Sequence, residues 1–160
     1  MIREDKAGAI GKAGELWVAG NLLLQGTGEG YRVFQPIVDE GVDLFLGKYT
    51  PDGVMIEACL QVKICTSAQG SQAVYTLREG NLEGKDDIVF IFLYAPEGQV
   101  EYCWVMKGGD VKKILGNNNQ IRLSVEPSSS DRGSEFRCEP RDLLEKLNPT
   151  LTPRFSVSVE

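Results

Sequence analysis

Four residues of this chain combine side chains that do chemistry with a spacing that lets them meet: Glu15, Asp43, Gln61 and Lys63. The sequence contains no histidine, which removes the commonest general base and every triad built on one. Any catalysis here therefore runs on carboxylates, a lysine or a bound metal ion. Gln61 and Lys63 fall within "VMIEACLQVKIC" (54–65), which sorts as a strand. Val54, Ile56, Ala58, Leu60, Val62 and Ile64 take one face, and Glu57, Cys59, Gln61, Lys63 and Cys65 take the other. An amide and an ammonium thus stand side by side on the less apolar face of a core strand.

The elements around that strand gather the other candidates. "PDG" (51–53) signals a tight hairpin, so 42–50 is an antiparallel strand preceding 54–65. With Asp52 near the centre of the turn, residue 43 falls opposite about residue 61, and Asp43, Gln61 and Lys63 share one patch. Residues 6–25 read as a helix, with Ile10, Ala13, Leu16 or Trp17, Gly20, Leu23 and Leu24 at near-helical spacing. Laid across the sheet, this helix delivers Glu15 to the same place. Gly8, Gly11 and Gly14 weaken its first turns by up to ~1 kcal/mol each, which points to a backbone or a ligand approaching closely.

The remaining pattern completes an α/β (α+β) fold: a mixed central sheet flanked by helices. A short strand covers 31–38, with Pro36 at an edge or bulge. A polar loop (66–72) leads to a turn or short helix over 74–84. Residues 86–95 are a central strand covered on both faces, and 100–106 are its antiparallel neighbour. A short helix follows over 108–116, with Asp110 as N-cap. A late strand (119–125), a surface loop (126–135), a helix over 139–149 stopped before Pro149 and a strand at 154–159 end the chain. Residues 1–160 read as a single domain, with a core at about 6–106 and a C-terminal α/β appendage at 107–160.

Composition narrows the function classes. The net charge is −6, which argues against broad nonspecific affinity of the isolated chain for nucleic acid. Cys59, Cys65, Cys103 and Cys138 form no CxxC pair, and this spacing together with the lack of histidine argues against a zinc site. No apolar run reaches the ~20 residues that span a bilayer, and the charged N-terminus lacks a signal-peptide core. The expectation is a cytoplasmic protein with reduced thiols, in which Cys59 and Cys65 pack in their strand and Trp17 and Trp104 lie in the core.

"GKAGELWVAGNLL", "GVDLFL" and "CLQVK", in that order, resemble the PD-(D/E)XK nuclease superfamily, nearest to branches with archaeal Holliday-junction resolvases and uncharacterised bacterial domains carrying QVK. The resemblance spans about residues 6–106 and implies a restriction-endonuclease-like αβββαβ core. It implies a Mg²⁺ (or Mn²⁺) ion bound by Asp43, the Gln61 amide oxygen, the Val62 carbonyl and Glu15, with Glu15 alternatively holding one of its waters. Lys63 would orient or deprotonate the attacking water, or stabilise the pentavalent phosphate. Substrate contacts are expected from Lys12 in "GKAG" and from Ser67, Gln69 and Tyr75 in and after the loop that follows the lysine. Gln61 replaces the usual acid, which lowers the charge of the site, and Asp39 and Glu40 are near enough in sequence to compensate. The implied function is a metal-dependent DNA endonuclease, with a homodimer or partner protein supplying binding surface. The alternative is a catalytically inactive nuclease-fold binding module. The plainer readings of the same residues are a snorkelling Lys63 paired with Asp43, a solvent-facing Glu15, and a Gln61 that hydrogen-bonds its neighbours.

Overall fold

Apolar alternation over 54–65 yields one long strand, and the rest of the chain assembles on it. This computed structural model describes residues 2–37, 41–78, 80, 82–128 and 130–158. The elements are α1 (Ile2–Gln25), β1 (Tyr31–Phe34), β2 (Leu44–Thr50), β3 (Gly53–Cys65), β4 (Gln72–Thr76), β5 (Val89–Tyr94), β6 (Tyr102–Lys107), α2 (Gly108–Ile114), β7 (Gln120–Ser124), β8 (Arg137–Cys138), α3 (Leu143–Leu147) and β9 (Phe155–Val157). The main sheet runs β1-β2-β3-β5-β6-β8, and β9 also pairs with β3. The β3–β5 pair is parallel and the other pairs are antiparallel, so the sheet is mixed.

Two cores cover the two faces. Val89, Ile91 and Leu93 of β5 face an aliphatic core closed by Val18 and Leu22 of α1 and by Leu143, Leu144 and Leu147 of α3. Phe90, Phe92 and Tyr94 face an aromatic core closed by the β4–β7 ribbon and by Val111 of α2. All six residues of β5 are buried, as a strand sandwiched between two layers requires. Residues 107–160, expected as an appendage, supply β7, β8, α3 and β9 to these same layers.

The hairpin carries an irregularity that positions the site. From Thr50↔Gly53 to Gly47↔Ile56 the strands keep one register, and Leu46 then pairs with Ala58, so Glu57 of β3 is passed over. This β-bulge moves residue 43 from opposite Leu60 to opposite Gln61. Gly47 is required at the bend, because a Cβ there would lie 2.6 Å from Val54 Cγ1.

Several sequence expectations change. The buried face of α1 is Gly14, Val18 and Leu22, while Leu16, Leu23 and Leu24 are exposed. Apolar residues surround this helix on all sides, so periodicity alone selects the wrong stripe. The turn or helix expected over 74–84 is instead the end of β4 followed by turns, and the described residues between β3 and β5 contain no helix. Val74 and Tyr75 are β-formers that pair with Arg122 and Ile121 of β7, a partner too distant in sequence for local pattern to announce. Asp110 is not the N-cap of α2. Lys107 takes that place, and Asp110 sits in the first turn paired with Lys113 at 3.6 Å.

Candidate active site

The β2 ladder stops at Leu44, and what replaces it is a side chain. Asp43 N–H donates to the Leu60 carbonyl at 2.8 Å. One step on, Val62 N–H has no strand opposite it, and Asp43 Oδ2 accepts it at 2.7 Å. Within a strand the N–H and C=O of one residue point to the same side, so the Val62 carbonyl faces this edge too. A carboxylate that satisfies a backbone N–H is also fixed in place.

Asp43 and Val62 line a cavity of about 820 Å³ with Lys12 and Glu15 of α1, Lys63 of β3, Gln35, Thr66 and Arg78. Three separate stretches of chain thus bring Lys12, Glu15, Asp43, Val62 and Lys63 to one wall. The glycines of α1 divide the work of making room. A Cβ on Gly14 would touch Ile64 Cβ at 3.4 Å, so this glycine lets the helix lie against β3, whereas a Cβ on Gly8 or Gly11 would meet nothing within 4 Å. Gly8 and Gly11 line the cavity and leave that part of its wall without side chains.

Each side chain has a definable state. Glu15 Oε2 accepts Lys12 Nζ at 3.0 Å and Gln35 Nε2 at 3.2 Å, so it is neither solvent-facing nor loose. Lys63 is half-buried and lines the cavity. Gln61 does not line the cavity. It is only 5% exposed, and its Oε1 is buried with no hydrogen-bond partner among the described residues. Leaving such an oxygen unpaired costs about 1–3 kcal/mol. The plain reading, in which the amide satisfies its neighbours, fails at that atom.

The expected substrate contacts sort differently. Lys12 is at the cavity, but Tyr75 is not available to a substrate. It is buried, its hydroxyl donates to the Leu93 carbonyl at 2.7 Å, and its ring packs on Phe92 at 4.9 Å. Burial pushes its phenol well above the ordinary range. Alternation along β4 turns Tyr75 into the aromatic core. Ser67 and Gln69 are exposed but lie outside the cavity lining. Ser67 offers its carbonyl to Cys65 Sγ at 3.1 Å, and Gln69 pairs its backbone with Gln72. Thr66 is the residue of that loop that reaches the cavity. Asp39 and Glu40 lie outside the described residues.

Arg78, Gln35 and Thr66 are the residues that sequence reasoning missed. Arg78 comes from the segment between β4 and β5, and nothing in its local pattern signals proximity to Asp43. With it, the described residues of the wall carry three cations (Lys12, Lys63, Arg78) and two carboxylates (Glu15, Asp43). Ammonium and guanidinium groups gathered in this way attract an anion.

The donors here suit a hard divalent cation. All are oxygens: the Asp43 and Glu15 carboxylates and the Val62 carbonyl at the open sheet edge, while Gln61 Oε1 is buried outside the cavity lining. Among the described residues no group of three or more His, Cys, Asp and Glu side chains is poised for a metal. A site with two carboxylates matches Mg²⁺, which keeps several waters and draws further ligands from substrate phosphate. The Asp43 carboxylate held beside the sheet edge that β2 leaves open at Val62 is the observation that favours the fit.

No protein-family model, no curated protein and no solved structure matches this chain. Among the described residues no helix is long and apolar enough to cross a membrane.

Proposed function

We propose that this chain is a metal-dependent phosphodiester hydrolase of restriction-endonuclease-like fold, acting on DNA. The observation that carries the reading is the placing of Glu15, Asp43, Val62 and Lys63 on one cavity wall where the β2 ladder ends. The run α1-β1-β2-β3 followed by a parallel β5 supports the fold reading, although β4 stands where that fold carries its second helix.

Asp43 and the Val62 carbonyl would hold the Mg²⁺, which would supply Lewis-acid polarisation of the phosphoryl group and a lowered pKa for water, whereas Gln61 Oε1 is sealed away from the cavity lining and takes no part. Lys63, which lines the cavity, donates hydrogen bonds to the phosphoryl oxygens and stabilises the charge that builds on them. Glu15, steadied by Lys12 and Gln35, accepts a hydrogen bond from the attacking water and takes its proton. Lys12 and Arg78 contact flanking phosphates. A homodimer or partner protein extends this basic strip, which the net charge of −6 makes narrow.

The test joins calorimetric titration with Mg²⁺ and Mn²⁺ to cleavage assays on plasmid and branched DNA. Metal-dependent nicking that disappears in Asp43→Ala and in Lys63→Ala is the expected result. Protein that neither takes up Mn²⁺ nor cuts any of these substrates overturns the hydrolase reading. One pair of observations favours a second reading, an inactive nuclease-fold binding module: the neutral Gln61 in the acid position and the prior engagement of Glu15. That reading predicts a metal-independent mobility shift with branched DNA and no cleavage.

A further inference from the structure

The four cysteines are far apart in sequence, but β8 brings two of them face to face. β8 pairs with β6 so that Cys138 stands directly opposite Cys103. Directly opposed residues of an antiparallel pair hold their Cβ atoms about 4.5–5.5 Å apart, and a disulfide needs about 3.5–4.5 Å. Closing that gap takes a movement of about 1 Å. β8 is suited to make it, because it is a two-residue edge strand between the short 3-10 turns Ser134–Phe136 and Pro140–Asp142.

The two thiols differ in access. Cys103 is wholly buried, whereas Cys138 is partly exposed and lines a cavity of about 510 Å³ on the β6–α3 side of the molecule. Lys146 and Asp142 act on Cys138 from the α3 side, and Lys107 of β6 and Glu135 line the same cavity. We propose that Cys138 is a peroxide-reactive thiol with Cys103 as its resolving partner, and that the pair forms a reversible cross-strand disulfide fastening β8 to the sheet.

The local electrostatics divide the roles in the same way. A hydrogen bond from Cys103 lowers the Cys138 thiol below its ordinary range against the opposing effect of burial, with Lys146 assisting and Asp142 opposing. The same hydrogen bond, with burial, pushes Cys103 far up. Cys59, by contrast, is raised by burial. The thiolate is the nucleophile in such chemistry, so attack belongs to Cys138.

The steps balance. The Cys138 thiolate attacks one oxygen of a hydroperoxide, the O–O bond breaks, and a sulfenic acid forms with release of an alcohol, or of water when the oxidant is hydrogen peroxide. The Cys103 sulfur then attacks the Cys138 sulfur, the S–O bond breaks, and the departing hydroxide leaves as water with the Cys103 proton. Two thiols lose two electrons and the peroxide gains them. A dithiol reductant reverses the result by exchange. The bond closes the loop from β6 to β8, which contains α2 and β7, and holds the segment leading into α3 against the sheet.

The experiment uses the full reduced chain and hydrogen peroxide. Intact mass should fall by two hydrogens, peptide mapping should find one Cys103–Cys138 link, and dithiothreitol should remove it. The oxidised protein should melt at a higher temperature, as loop closure predicts. In Cys103→Ser, dimedone should mark a sulfenic acid on Cys138, and Cys138→Ser should form no link. In the unsubstituted protein, iodoacetamide at neutral pH should modify Cys138 about tenfold faster than Cys59. That measurement stands even if a variant fails to fold. Alkylation of Cys138 no faster than Cys59, or oxidation that links other cysteines, overturns the proposal.

Discussion

The two halves of β3 share a strand and an alternating pattern, yet they do different things. In the first half, Val54, Ile56 and Ala58 pair with β2 on one side, and Val54–Ile56 pair with β9 on the other. Backbone meets backbone along both edges, and the apolar side chains are buried. In the second half, β5 fills one edge from Leu60 to Cys65, but β2 ends at Leu44 and the Asp43 carboxylate takes over. Where the ladder is complete a strand only holds the fold. Where it runs out, the strand leaves a backbone N–H that a side chain satisfies, and that side chain stands at the cavity.

Substitutions that treat the two halves separately sharpen or break this contrast. The largest loss of stability is expected from Ile56→Ala in the complete half. Ile56 is 1% exposed, and truncation should cost about 2–5 kcal/mol in urea unfolding, with Mn²⁺ uptake unchanged. Asp43→Ala comes next. It removes the acceptor of Val62 N–H and should cost about 1–3 kcal/mol together with all measurable Mn²⁺ uptake. Asp43→Asn keeps an acceptor oxygen, so it should recover most of the stability and none of the metal binding. Equal metal binding by Asp43→Asn and the unsubstituted protein would dissolve the contrast.

Gln61→Leu tests the orphaned oxygen. Replacing an unsatisfied buried amide with an apolar group of similar size should leave stability within about 1 kcal/mol of the starting value, or raise it, with Mn²⁺ uptake unchanged. A clear destabilisation would mean that the amide is satisfied after all. The smallest effect belongs to Glu15→Gln, whose partner Lys12 is largely solvent-exposed. An ion pair of that kind contributes about 0–1 kcal/mol. Its stability change should be slight, and the loss should show instead in any metal-dependent cleavage.

The local signals were strong where they were short-range. "PDG" gave the two-residue turn that pairs Thr50 with Gly53, because turn chemistry is decided within a few residues. The unbroken apolar run at 89–94 gave a strand buried on both faces. The placing of Asp43 opposite about residue 61 rested on simple counting, yet it depends on a bulge at Glu57 that counting does not reveal. Tyr75 differs from its expected place for a related reason. Local pattern sets it beside the loop after Lys63, whereas pairing with β7 turns it into the core.

The residues by themselves determined that no histidine chemistry is open to this chain, that β2 and β3 form a hairpin, and that Asp43, Gln61 and Lys63 lie near one another. Each of these follows from composition, or from interactions spanning a few residues. Only the tertiary structure decided which face of α1 is buried, that Glu15 and Arg78 reach the cavity, that Gln61 is sealed away from it, and that Cys103 meets Cys138. Those outcomes depend on which distant segments pack together. Packing is chosen by the fit of the whole core, so no local stretch of sequence carries that information.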